Sequence, residues 1–480
     1  MSAPRSAPLW LAGRPFEPNH DLEVRDKWTG KPVAAVPLAD AALIDRALEA
    51  AVRAAPAMRG LAAHERREVL AHCVGRFEER RAELAELLVV EAGKTITDAR
   101  AEVGRLVDTF RVAAQETAHA FAGTVLPLDT TPRARAHRGM WQRVPVGPCA
   151  FVSPFNFPLN LVAHKIAPAI AAGCPFVLKP ASATPLGALA LGEILAETGL
   201  PEGAFSILPA TRQAADLLVT DPRTRLLSFT GSPVVGWDLK ARAGRKKVVL
   251  ELGGNAACIV DEGVDLEDAA SRITAGAFAQ AGQSCISVQR IVAHRSVLLP
   301  LRERLVAQAR AWPGGDPRDP ATRLSPLIHE AEARRVETWI QEAVAAGGTL
   351  LCGGQRSGVF VAPALLEDVP GGCRIVAEEV FGPVAVLSSF DRWPEALAAV
   401  NDGRFGLQAG VFTRELGRAL EAWDGLEVGG VVVNDVPSFR ADGMPYGGVK
   451  ESGLGREGVR FAIEDMTEVR MLVIRDPTKR

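Results

Sequence analysis

No Cys-x-x-Cys pair occurs in this 480-residue chain, and its seven cysteines (73, 149, 174, 258, 285, 352 and 373) are widely scattered. An odd, dispersed set argues against a disulfide framework or a zinc site and for a reducing compartment. Charge of one sign is also missing: 55 basic against 57 acidic residues leave −2, which gives no case for nucleic acid or an anionic membrane. The basic residues between Arg133 and Arg143 read as a solvated face. Long apolar runs are absent too. The twenty residues 144–163 carry no charge, but Pro145, Pro148, Pro154 and Pro158 make them poor material for a membrane helix. The opening Met1-Ser2-Ala3-Pro4-Arg5 lacks the apolar core of a signal peptide, so the expected location is cytoplasmic.

What is present is an ordinary globular balance, 48% hydrophobic and 23% charged, in a chain long enough for two or three domains. The first forty residues read as strands and turns. Residues 40–122 show apolar spacings of three and four, enough for three or four helices. Residues 123–145 read as extended structure. From Cys149 to Glu251 strands and helices alternate, which predicts a mostly parallel, helix-covered sheet suited to a nucleotide. Within that run, Thr184 and Pro185 are expected to cap and open a helix ending near Gly199.

The literal Gly-x-Gly-x-x-Gly at residues 453–458 is a decoy, because only twenty-two residues follow it and no βαβ unit fits in them. A better phosphate loop is Ser228-Phe229-Thr230-Gly231-Ser232, which follows a predicted strand and opens a helix. Backbone N–H groups, the Ser232 hydroxyl and the helix dipole meet a pyrophosphate well there.

Ala281-Gly282-Gln283-Ser284-Cys285 puts one cysteine among small and polar residues, and Glu251 stands in Leu250-Glu251-Leu252-Gly253-Gly254. A thiolate attacks carbonyl carbon and a nearby carboxylate activates water. Asn156, in Val152-Ser153-Pro154-Phe155-Asn156-Phe157, sits at a strand–helix junction, where asparagine is a favoured N-cap.

Together these stretches resemble the active site of the aldehyde dehydrogenase superfamily, with six motifs in family order from about Trp28 to Arg470. The resemblance implies an α/β fold: a Rossmann-type cofactor domain (1–122 and 146–253), an α/β catalytic domain (254–463, with a return segment) and a small β oligomerisation element (123–145 and 464–480). It implies Cys285 as nucleophile, Glu251 as general base and Asn156 in the oxyanion hole. Lys165 would stand near a proton-exit path, or simply in a structural ion pair. NAD or NADP would lie against Val152, Ser153, Pro154, Phe155, Lys179, Gly231, Ser232, Leu252 and Gly253. Glu379 would hold the nicotinamide ribose, with Phe381 beside it. Ser182 stands where many NAD-preferring members carry a glutamate, which leaves room for NADP. No metal is implied.

The Cys285-Ile286-Ser287-Val288-Gln289-Arg290 continuation resembles the branch handling lactaldehyde and phosphonoacetaldehyde. Arg111 and Arg440 would suit an anionic aldehyde; Phe157, Phe439 and Tyr446 would equally suit a neutral one. Rival readings are a CoA-acylating dehydrogenase, which often lacks the Glu251 base, a catalytically silent relative, and a cysteine hydrolase. Met471-Leu472-Val473-Ile474 reads as an edge strand lacking a partner within its own chain, which favours a homodimer or homotetramer.

Overall fold

The computed structural model describes residues 5–478. Three sheets organise it. The first has eight strands, and its centre is the parallel set Lys247–Glu251, Leu226–Thr230, Cys149–Val152, Phe176–Lys179 and Phe205–Ile207. Such strands are buried on both faces, and Cys149, Ala150, Phe151, Phe176, Val177 and Leu178 are accordingly shielded by helices on either side. The N-terminal Leu9–Leu11 and Arg14–Phe16 strands extend one edge in antiparallel fashion.

Four helices follow the N-terminal strands: Ala41–Gly60, Ala63–Glu79, Arg81–Ala92 and Ile96–Glu116. Asp40 opens the first by accepting from Leu43 N at 2.8 Å, and Thr95 opens the last by accepting from Asp98 N at 3.2 Å. The Leu186–Ala196 helix departs from its expected start. Pro185 is itself the N-cap, and the Thr184 hydroxyl has no hydrogen-bond partner. Buried Glu91, from the Arg81–Ala92 helix, supplies the cap instead, accepting from Leu186 N (2.6 Å) and Gly187 N (2.8 Å). The capping acid lies 95 residues away, beyond the reach of a local pattern.

The second sheet has seven strands and is parallel except for its Thr349–Cys352 edge; Gly430–Val433 forms the opposite edge. The Leu266–Phe278 helix packs on this sheet and leads to Cys285. The third sheet is a three-stranded antiparallel arm in which Thr467–Arg475 pairs with His137–Pro145, and that strand with Gly123–Pro127. The 471–474 stretch, expected to lack a partner in its own chain, therefore has one along one edge, from Trp141 to Arg138, supplied by a strand far earlier in the chain. Gly453–Leu454 returns to the first sheet and pairs antiparallel beside Glu251, so the glycine-rich decoy is an edge strand and turn. Among the described residues no helix is long and apolar enough to cross a membrane.

Candidate active site

A cleft of about 1030 Å³ runs between the first two sheets. Parallel strands deliver its chemistry at their carboxyl ends: Val152 ends one strand and Ser153 follows it, Lys179 ends the next, and Glu251 ends a third.

Cys285 reaches the cleft by an unusual route. After the Leu266–Phe278 helix, Gln280 (φ 52°), Ala281 (φ 52°) and Gly282 (φ 67°) lie consecutively in the left-handed region. Side-chain bonds hold the turn. Lys94 Nζ donates to Gln280 Oε1 at 2.5 Å, and Gln280 Nε2 donates to the Asn156 carbonyl. Gln283 donates to Gln280 O and to Pro326 O, both at 3.2 Å, and accepts from Ile328 N at 2.9 Å. Asn156 Nδ2 in turn donates to Gln283 O at 3.1 Å, tying the amide to the cysteine turn. Gly254 passes so close that a Cβ there would strike the Cys285 carbonyl.

The Cys285 sulfur lies 3.0 Å from the Tyr446 hydroxyl. Burial pushes its thiol up to about 12, opposed by the Tyr446 bond and reinforced by Glu379 and Glu251. Glu251 is 3% exposed, and neither carboxylate oxygen has a hydrogen-bond partner. Burial, then the nearby Glu457 charge, hold its carboxyl well above the ordinary range against the pull of Arg440 and Lys165. Glu457 itself pairs with Arg440 (3.0 Å) and Lys165 (3.4 Å). Burial would raise Glu457, but the two cations outweigh it and bring the carboxyl down to about 2. Lys165 lies beneath the cleft and also donates to Ser228 (2.9 Å) and Thr230 (2.7 Å); burial lowers its pKa.

The cleft is lined by Val152, Ser153, Pro154, Phe155, Lys179, Gly231, Ser232, Leu252, Gly253, Glu379 and Phe381, the residues assigned to the dinucleotide by the sequence resemblance. Several features fit a dinucleotide. Ser153 Oγ is buried with no partner, and Ser232 leads the ten-residue Pro233–Arg242 helix without spending its side chain on a cap. Gly231 leaves space that a Cβ would lose against the Phe229 ring, 2.6 Å away. Glu379 accepts from Gly254 N at 3.0 Å, and burial raises its carboxyl to about 7. Phe381 meets Phe155 edge-on, with centroids 5.8 Å apart. Burial, then Arg212, brings Lys179 down to about 8.

Three expected residues lie elsewhere. Ser182 is exposed and outside the lining; Ala181 takes the cleft position, and Arg212 reaches in from the 208–215 loop. Phe439 is 51% exposed, and its neighbours Ser438 and Arg440 face the cleft instead. Arg111 is a surface residue paired with Asp108 (2.5 Å) and Glu78 (3.4 Å). On that helix the lining face is Asp98, Ala101, Glu102 and Arg105, at spacings of three and four. Six positions beyond Arg105, Arg111 is rotated by about 120° away from it. Arg105 is the cation that this helix sends to the cleft, and together with Glu457, Asp442 and Arg212 it went unforeseen in the sequence. The three-and-four spacing marked Arg105; Glu457 lay inside the decoy motif. Phe157, Arg440 and Tyr446 line the cleft as expected.

A family model described as the aldehyde dehydrogenase family matches residues 15–472. The 3-sulfolactaldehyde dehydrogenase of Priestia megaterium is 40% identical over 454 residues, 94% of each chain. The crystal structure of aldehyde dehydrogenase 21 (ALDH21) from Physcomitrella patens, in complex with the reaction product succinate, superposes with a TM-score of 0.98 at 48% identity, covering 100% of both chains. Glyceraldehyde-3-phosphate dehydrogenase GapN from Methanocaldococcus jannaschii, complexed with NADP, gives a TM-score of 0.91 at 35% identity over 95% of this chain and 100% of its own.

Proposed function

This chain belongs to the aldehyde dehydrogenase family, as an oxidoreductase acting on aldehydes, and we propose that it oxidises an anionic aldehyde to the acid through Cys285. The observation that carries the reading is one cleft holding both the Cys285 sulfur and the unpartnered carboxylate of Glu251. Cys285 adds to the aldehyde carbon, and the Asn156 amide steadies the oxygen that gains charge. A nicotinamide dinucleotide, NAD or NADP, held in this cleft would supply a hydride acceptor, and the Cys285 thiohemiacetal, on losing hydride, would become a thioester. Glu251 takes a proton from water, and the hydroxide equivalent cleaves the thioester. Its raised pKa makes it a stronger base than an exposed glutamate. Lys165 and Glu457, at 3.4 Å from each other, stand behind it as an onward path for the proton.

Val152, Ser153, Pro154, Phe155, Gly231, Ser232, Leu252 and Gly253 would hold the dinucleotide, with Lys179 and Arg212 at its adenosine end and Glu379 and Phe381 at its nicotinamide end. Arg212 beside Lys179 suits a 2′-phosphate, so NADP use is expected alongside NAD. Anionic substrate rests on charge: Arg105 and Arg440 line the cleft, and sulfolactaldehyde, succinate and glyceraldehyde 3-phosphate, named for the three relatives above, are all anions.

Residues 1–122 and 146–253, which supply the eight-stranded sheet apart from its Gly453–Leu454 edge, are read as the cofactor unit, and residues 254–463, with the seven-stranded sheet, as the catalytic unit. The arm (123–145, 464–480) is read as the oligomerisation element of a cytoplasmic homodimer or homotetramer. Two open edges, Thr467–Arg475 and Gly430–Val433, support this. The first carries Val469, Leu472, Val473 and Ile474 at 50–60% exposure, an aggregation liability unless covered by another copy. Size-exclusion chromatography tests it, and a monomer would reject it.

The function is tested by following reduced nucleotide with both cofactors over a panel of carboxylated, sulfonated, phosphorylated and neutral aldehydes. Faster turnover of the neutral set would overturn the anionic reading.

A further inference from the structure

The chain contains a single tyrosine, and it stands at the reactive sulfur. Tyr446 is 3% exposed, with its phenolic oxygen 3.0 Å from Cys285 Sγ. Its ring packs with Ile286 and Leu407 in a small apolar cluster that also touches Cys285. The backbone is pinned as well: Tyr446 and Glu457 exchange N–H···O bonds of 2.9 and 2.6 Å. Above the ring lies the Arg440 guanidinium, 3.8 Å from the centroid, itself held by Glu457 at 3.0 Å.

A cysteine at the floor of an apolar cleft has little to gain from ionising, since water is replaced by carbon around the new charge. A phenol reverses part of that loss, because its hydrogen bond to a thiolate is charge-assisted and stronger than one to a thiol. A cation on the ring face draws electron density from the phenol and strengthens it as a donor. We propose that Tyr446 is a catalytic residue whose hydroxyl donates to the Cys285 sulfur as it ionises, holding the thiolate ready for the aldehyde. The thiol proton leaves to water in the cleft, the phenol keeps its own, and the freed sulfur pair forms the S–C bond. Burial holds the thiol up against this bond; the Tyr446 hydroxyl is hydrogen-bonded to the sulfur at 3.0 Å and favours its ionisation, with the Arg440 charge adding a weaker pull in the same direction.

The proposal rests on Cys285 being the nucleophile, and the two fail differently: turnover surviving in Cys285→Ser would sink the nucleophile. Tyr446→Phe tests the donor, keeping the ring and its Arg440 contact while removing one oxygen. Alkylation of Cys285 by iodoacetamide is followed against pH, by mass spectrometry of the peptide that contains it. The midpoint is expected to rise by about one pH unit, so the rate below it falls about tenfold. The kcat/KM for aldehyde should fall alike at neutral pH and recover as pH is raised, which loss of packing alone would not produce. An unchanged alkylation profile overturns the proposal. A reciprocal measurement does not need that variant to fold. Because the chain has one tyrosine, tyrosinate absorbance in Cys285→Ala reports Tyr446 alone. Removing the sulfur is expected to lower the pH at which the phenol ionises, and superimposable titrations with the parent protein would refute the pairing.

Discussion

Arg105 forks onto Asp442, with Nη2 2.8 Å from one carboxylate oxygen and Nε 3.4 Å from the other. Asp442 also meets His164 Nε2 at 2.9 Å and Asn160 Nδ2 at 3.2 Å, so the guanidinium is aimed by a carboxylate fixed from three sides. Burial opposes ionisation of Asp442, yet His164 and Arg105 hold it far below the ordinary carboxylate range. The consequence is a cation in the cleft at a defined place. In Arg105→Ala, KM for succinic semialdehyde is expected to rise about tenfold or more, the loss of a charge-assisted bond, while a neutral aldehyde of similar length changes little. Arg111→Ala should leave both unchanged. Equal losses for the two aldehydes in Arg105→Ala would show that Arg105 does not read substrate charge.

Cys285→Ser should abolish dehydrogenase turnover and leave nucleotide binding intact by fluorescence titration. Glu251→Gln should instead give a burst of reduced nucleotide followed by slow turnover, as thioester accumulates. Absence of a burst with normal turnover would remove Glu251 from the hydrolytic step.

Asn156→Ala should lower kcat by about 10²–10³-fold, the usual effect of losing one oxyanion donor. Because Asn156 also ties to Gln283, Asn156→Asp is a useful companion. It keeps the shape but loses the donor, and should be as slow as the alanine variant in steady-state assays.

The acid limb of turnover should lie above the ordinary glutamate range, since Glu251 must be ionised to act and its pKa is raised. Glu457 contributes to that rise, so Glu457→Gln removes a like charge and leaves Lys165 and Arg440 to favour the Glu251 anion. The limb should then move to lower pH. A shift upward, or none, in a pH–kcat profile would show that the two carboxyls are not coupled.

Lys179 is cationic below about 8 and neutral above it. If it and Arg212 read the adenosine end, KM for NADP should climb across that pH more steeply than KM for NAD. Arg212→Ala removes a like charge beside Lys179, so the break should move to higher pH while NADP affinity falls overall. Parallel KM profiles for the two nucleotides would exclude a role in 2′-phosphate recognition.

Much of this arrangement was legible in the chain because parallel sheets advertise themselves. Runs such as Cys149-Ala150-Phe151 and Phe176-Val177-Leu178, buried on both faces, alternate with helices and so declare which strand ends carry the cleft. Cys285, Glu251 and Glu379 stood in short motifs with little else to do. What could not be read was rotation and reach. Arg111 and Arg105 share a helix and differ only in the face they present. Ser182 and Arg212 depend on how two loops turn after their strands. Glu457 was hidden in Gly453-Leu454-Gly455-Arg456-Glu457-Gly458, whose glycines serve backbone turns: Gly455 has φ +83° and Gly458 φ +97°. The pattern looked like a phosphate loop gone astray, and its acid was the part that mattered.

The left-handed turn before the nucleophile has a bearing on engineering. Each non-glycine residue there costs roughly 1–2 kcal/mol of backbone preference, and Ala281 has no side-chain hydrogen bonds with which to recover it. Ala281→Gly would therefore look attractive in any search for a hardier protein. Yet a glycine has a wider choice of backbone conformations, and the Gln280 and Gln283 side chains would then be anchoring a looser strap. Heat tolerance and turnover are expected to part company at this position, so a selection scored on melting temperature alone would drift toward sluggish enzymes.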